Sequence, residues 1–210
     1  MSLPRPFAIA GVLASIVLIV LGAGAIVIGA SGHREVGTDL KREQIVGSPD
    51  MTPTKIRAAI ADAGLKDIQG VPTCSVADQP IDSGSRAKCF ASYMRIHALE
   101  ATGGQTYAQM AQYLDASGKP TAEKAAAAKD PKTGAPVANG ARAVWVTETG
   151  LSTALNTSFF AQQVALFSIV MGLALLLTGI GFLVLTGTLL RRTGTAAVAE
   201  QARVGDLATV

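Results

Sequence analysis

The stretch from Val164 to Leu190 reads VALFSIVMGLALLLTGIGFLVLTGTLL and carries no charged residue. As a helix it is long enough to cross the hydrocarbon core of a bilayer, which takes about 20 apolar residues. Arg191 and Arg192 follow at once, and basic residues at the end of a span favour the cytoplasmic side. A second apolar run, Phe7 to Ala30, lies near the start behind Arg5. The competing reading of that first run is a signal peptide, whose apolar region would span roughly 7–15 residues and end in a small-x-small site. Phe7 to Ala30 is longer, which favours an uncleaved anchor; Gly29-Ala30-Ser31 is the segment at which cleavage would act.

With two spans, both flanks share a side, and Arg5 with the Arg191-Arg192 pair assigns that side to the cytoplasm. The expected organisation is a cytoplasmic N-terminus over 1–6, a transmembrane helix over 7–30, an extracytoplasmic helical domain over 31–162, a second transmembrane helix over 163–190 and a cytoplasmic tail over 191–210. The fold class is mainly α: a helical hairpin of two transmembrane helices in the plasma membrane, with a helical extracytoplasmic domain inserted between them.

Composition sharpens this. Hydrophobic residues make up 49% of the chain but are concentrated in the two runs, and the segment 31–162 carries 14 Lys and Arg against 13 Asp and Glu. A nucleic-acid binder would cluster Lys and Arg on its folded part; that pattern is absent, so no nucleic acid is expected as a partner. The only cysteines, Cys74 and Cys89, both fall in 31–162. Two cysteines in one modest extracytoplasmic domain fit a single disulfide; the plainer alternative is two unrelated buried thiols.

Both apolar runs repeat small residues every seven positions: Ala8, Ser15, Gly22 and Gly29 in the first, Ala165, Gly172, Gly179 and Thr186 in the second. A seven-residue repeat keeps one stripe on one face of a slightly supercoiled helix, and helices in lipid associate by close packing of small residues. The stripes are expected to face each other in an antiparallel pair or to face a partner helix, although Gly and Ala are common in spans and some heptad spacing arises by chance.

Between the runs, helical punctuation is clear in two places. Thr52 caps a helix that starts with Pro53 and ends before Gly64, with Ile56, Ala59, Ile60 and Ala63 on its apolar face. A second helix begins at Ser83-Gly84-Ser85 and runs to Ala101, with Phe90, Tyr93, Met94, His97 and Ala101 as its stripe. Three weaker helices are expected at Asp39–Ile45, Thr106–Leu114 and Thr121–Lys129. A last helical segment, from Ala141, runs through Phe160 into the second span, and Trp145 packs inside the domain.

REQIVGSPDM, the cysteine pair with RIHALEATGGQTYAQM, and ARAVWVTETGLSTALNTSFFA together resemble a group of uncharacterised two-span membrane proteins of actinobacteria. The resemblance covers most of the chain and implies the two-span architecture without an established activity. Proteins of this look are sometimes assigned to the aromatic ring-opening dioxygenases. Non-heme iron sites of that kind use two histidines and a carboxylate, whereas the only histidines here are His33, beside the membrane, and His97, on a helix.

His97 and Glu100 are three apart and can meet on one helical face. An acid/base pair is the functional reading; a half-buried surface histidine is the ordinary one and the more frequent. No nucleophile elbow, phosphate loop, HExxH or CxxC occurs. The sequence therefore points to no catalytic residue, no cofactor and no metal. The expected partners are the lipid bilayer and a membrane or envelope protein, and a homo-oligomer is compatible with the stripes. A structural or accessory, partner-binding role in the cell envelope is the leading expectation. A small oligomeric channel or transporter component comes second, and a membrane-anchored enzyme third. Against a pore, the polar side chains of the spans are few: Ser15, Ser168, Thr178, Thr186 and Thr188.

Overall fold

The computed structural model describes the backbone of residues 5–207 and the side chains of Phe7 and residues 9–190. It is mainly helical, with α1 at Arg5–Arg42, α2 at Pro53–Asp62, α3 at Gly84–Ala101 and α4 at Ala141–Leu207. The only strands among the described residues are the two-residue β1 (Tyr113–Leu114) and β2 (Pro120–Thr121), paired antiparallel with Tyr113 opposite Thr121. The chain divides into two compact units. One comprises the segment up to His33 with the segment from Gln163 onward; the other is Arg34–Gln162.

The first unit holds the two helical stretches long and apolar enough to span a membrane. Their large side chains point outward: Val20, Ile28, Phe167, Leu177 and Val184 are all more than half exposed. The contacts between them are made by small residues. A Cβ placed on Gly22 would lie 2.7 Å from the Gly172 carbonyl oxygen, and one on Gly172 would lie 2.7 Å from the Gly22 carbonyl oxygen. Gly29 abuts Ala165, Gly11 abuts Thr186, and Gly179 abuts Ile19. The numbers fall along one helix as they rise along the other. Ser15, fully buried, donates its hydroxyl to the Gly11 carbonyl at 2.7 Å, which satisfies that hydroxyl within its own helix.

The core of the Arg34–Gln162 unit gathers around α3. Tyr93, Ile96 and Ala87 of that helix pack with Ile56 of α2, with Val76 and Ile81 from the intervening loop, and with Trp145 and Leu155 of α4. α2 follows its sequence signals closely. The Thr52 hydroxyl accepts from the Lys55 amide, Pro53 opens the helix, and Gly64 turns the chain at φ +64°. α3 begins differently: Ser83 makes no side-chain cap, and the Gly84 amide instead donates to Gln162 Oε1 of α4 at 2.8 Å. The Cys74 and Cys89 sulfurs are bonded, closing a loop between the segment before α3 and its second turn. Closing a loop of this length contributes about 3 kcal/mol through the entropy of the unfolded chain.

Three expected helices fail to appear as such. Asp39–Arg42 is the last turn of α1, because nothing between Ser31 and Arg42 stops that helix. It ends where Gln44 takes φ +52°. Thr106–Leu114 makes a single turn, with the Gln109 and Met110 amides on the Thr106 carbonyl, and then straightens into β1. Thr121–Lys129 forms β2 and turns, with Asp115 bridged to Ala127 and Lys129 to Pro136. In both cases a tight turn wins over helix propensity. Asp115 Oδ1 accepts from the Ser117 and Lys119 amides and closes the β1–β2 connection. Asp130 Oδ1 does the same for Lys132 and Thr133. Pairing across these turns overrides the weak preference of an alanine-rich stretch.

Candidate functional site

The clefts of the Arg34–Gln162 unit lie where α3 and the first section of α4 leave space between their side chains. The first, of about 530 Å³, is lined by Met94, His97 and Ala98 of α3, by Gly140, and by Ala143, Val144, Thr147 and Glu148 of α4. A second, of about 600 Å³, is more apolar. Phe90 and Met94 face Leu151, Ala154 and Leu155 across it, Leu40 and Ile45 close it, and Asp39, Glu43 and Ser158 complete its lining. A third, of about 290 Å³, is polar and includes Ser92, Arg95, Glu148, Thr149 and Asn156. All three follow from the helical spacing of α3, which places Phe90, Met94 and His97 on one face and Ser92 and Arg95 on another.

α4 is held beside these clefts by its own start. Asn139 accepts from the Ala141 amide at the helix N-terminus and donates to the Ala111 carbonyl at 3.0 Å. One turn on, Trp145 is buried and its indole N–H donates to the Gln105 carbonyl at 2.7 Å. The Arg95 guanidinium lies 5.3 Å from the Trp145 ring centre, within cation–π range.

His97 and Glu100 do meet: Nδ1 is 2.8 Å from Glu100 Oε2. The other nitrogen, Nε2, lies 3.3 Å from Asp50 Oδ2 but out of line for a hydrogen bond. Each ring nitrogen thus faces a different carboxylate, and the three groups do not converge on one point. No group of three or more His, Cys, Asp or Glu able to hold a metal occurs among the described residues. The Ser48 side chain donates to Asp50 and, despite partial burial, holds its carboxyl below the ordinary carboxylate range; the His97 and Lys55 charges add to this. Tyr93, fully buried, donates its hydroxyl to the Cys74 carbonyl at 2.6 Å, and burial pushes its phenol up.

Glu148 of α4 lines both the 530 Å³ and the 290 Å³ clefts. It is 7% exposed. Oε1 accepts from the Ser152 hydroxyl at 2.7 Å, and Thr149 reaches Oε2 at 3.4 Å. No Lys, Arg or His nitrogen comes within 4.0 Å of it among the described residues. Its position i−4 to Ser152 was a usable signal, but its burial depends on α3 and could not be read from the chain.

Of the small residues singled out in the apolar runs, Gly22, Gly29, Ala165, Gly172, Gly179 and Thr186 take part in close approaches between α1 and α4 in the first unit, and Ser15 is fully buried. The side chain of Ala8 lies outside the described residues, as do those of Arg5, Arg191 and Arg192. Gly11, which the heptad pattern omits, also belongs to the contact. The span hydroxyls of Ser168, Thr178 and Thr188 all bond carbonyls of their own helix. The chain matches no protein-family model, no curated protein and no solved structure.

Proposed function

We propose that the protein is a two-span membrane protein of the cell envelope. In this reading α1 and α4 form an antiparallel hairpin in the plasma membrane, and the Arg34–Gln162 unit works on the extracytoplasmic side as a docking module for another envelope protein. The observation that carries the reading is the combination of close glycine contacts with outward-facing large apolar side chains in the first unit. Such an outward apolar surface suits a lipid surrounding, and small-residue packing is how helices associate there. Hydroxyls bonded to their own helices suit lipid-facing helices rather than a hydrated pore.

The docking surface is the 600 Å³ apolar cleft. Asp39, which pairs with Arg42 at 3.5 Å, and Glu43, which makes no ion pair among the described residues, both line it, so Glu43 supplies its uncompensated negative charge. Its partner is therefore a protein segment with an apolar anchor flanked by basic residues. A photoreactive side chain at Leu151, half-exposed in that cleft, should crosslink a discrete partner in intact cells. The paired substitution Asp39→Lys and Glu43→Lys should abolish the adduct. Absence of an adduct at Leu151, or the same adduct from the distant exposed position Lys132, overturns the reading.

A further inference from the structure

Glu148 is a buried acid without a cationic partner among the described residues, placed where two clefts meet. Removing a carboxylate from water is expensive unless an opposite charge or a full set of hydrogen bonds replaces the lost solvation. Here the replacement is incomplete. One oxygen has a good bond from Ser152; the other has only the 3.4 Å approach of Thr149. Arg95 also lines the 290 Å³ cleft, but it sits over Trp145 rather than on Glu148.

The space beside this carboxylate has a definite chemistry. In the 530 Å³ cleft, Met94, Ala98, Ala143 and Val144 supply apolar wall, and Glu148 is the only acid in its lining. His97, the other ionisable group there, is bracketed by Asp50 and Glu100. The volume falls in the range of small-molecule sites, which pair apolar walls with a few placed polar groups. A divalent metal does not fit, since one carboxylate cannot assemble the several oxygen ligands such ions take, and no second ligand set is present among the described residues.

We propose that the cleft between α3 and α4 binds an organic cation, an ammonium group on Glu148 with a short alkyl body against Met94, Ala98, Ala143 and Val144. The ammonium completes the coordination of the second carboxylate oxygen, and the alkyl chain fills the apolar space. This site shares Met94 with the protein-docking cleft but is otherwise lined by different residues, and it does not depend on the membrane orientation. The same chemistry is offered by a free alkylamine and by an aminolipid headgroup.

The test uses the full chain in a nonionic maltoside detergent. Binding of hexylamine is read by thermal shift and by titration calorimetry, with hexanol and hexanoate as length-matched controls. Hexylamine should stabilise the protein, and both controls should fail to. Glu148→Gln keeps the shape and the Ser152 contact but removes the charge, and should weaken hexylamine binding at least tenfold. Val144→Phe, at a partly exposed position one turn before Glu148, narrows the cleft while keeping the acid and should also abolish binding; it keeps the test alive if Glu148→Gln does not fold. Dihexanoylphosphatidylethanolamine is titrated in parallel. Binding of either amine that both variants lose supports the site and shows which source it accepts. Equal stabilisation by hexanol, or hexylamine binding unchanged in Glu148→Gln, overturns the proposal, as does failure of both amines to bind.

Discussion

A Cβ on Gly47 would collide with the Val76 carbonyl oxygen. The backbone there is fixed from both sides: the Gly47 amide donates to the Gln79 carbonyl and its carbonyl accepts from the Asp78 amide, each at 2.9 Å. Gly47→Ala must therefore push apart the loop segments that hold Val76 in the core, and overpacking of this kind costs about 1–3 kcal/mol. A lowered unfolding midpoint is expected for Gly47→Ala. Gly140→Ala, where nothing lies within 4 Å, should leave the midpoint close to the parent's. Three residues on from Gly47, Asp50 gives a pH dependence with a definite sign. Its folded-state pKa lies below the ordinary 3.8, so the folded state favours the carboxylate. The stability it adds is present above about pH 4 and is lost as pH falls through the depressed value. Asp50→Asn should lower the midpoint at neutral pH by a small amount, under about 1 kcal/mol because the group is half-exposed. The gap to the parent should close below pH 4. A constant gap from pH 7 to pH 3 would show that the charge plays no role.

Among the elements, the α1–α4 contact is the most exposed to test. Gly22 and Gly24 lie two residues apart on one helix, yet a Cβ on Gly22 meets backbone of the other helix at 2.7 Å and one on Gly24 meets nothing within 4 Å. Gly22→Leu should destabilise the protein in detergent by about 1–3 kcal/mol. Gly24→Leu should be neutral or slightly stabilising, since leucine is the better helix former. Equal behaviour of the two would mean that the contact does not persist outside the isolated chain. The repeat of seven is a strong periodic signal that both runs carry, and it includes Gly22, Gly29, Gly172 and Gly179, at which an added Cβ would meet the other helix. α2 was legible for another reason: Thr52, Pro53 and Gly64 mark its ends independently of the helix content. Thr106–Leu114 carries a good capping residue and a helical apolar spacing of Tyr107, Met110, Ala111 and Leu114, and Thr121–Lys129 carries a cap but few large apolar groups. Their conformation is set by Asp115, Asp130 and the pairing of Tyr113 with Thr121 and Ala138, contacts between residues whose partnership no local pattern announces. The candidate site suffers in the same way. His97 beside Glu100 follows from helical spacing, whereas Asp50 beside His97 and the burial of Glu148 arise only when separate segments are brought together.

For the whole molecule, the orientation of the spans decides the chemistry available to the Arg34–Gln162 unit. A disulfide such as Cys74–Cys89 persists in an oxidising compartment and is rarely kept in the cytoplasm. The flanking charges act in the same direction: Arg5 precedes the first apolar run, and Arg191 and Arg192 follow the second. The intervening segment carries nearly balanced charge and is too long to set its own orientation, so the proposed topology rests on the flanks. Both native cysteines are bonded and no free cysteine is present among the described residues, which leaves the oxidised chain silent to thiol reagents and allows single cysteines to be added to it. Lys132→Cys, at an exposed position, should react with a membrane-impermeant maleimide on intact cells. Thr195→Cys, beyond the second apolar run, should react only after the membrane is permeabilised. Labelling of Thr195→Cys but not Lys132→Cys on intact cells would invert the topology. The docking cleft and the disulfide would then both face the cytoplasm, where the bridge would be subject to reduction and the loop it closes would lose its constraint.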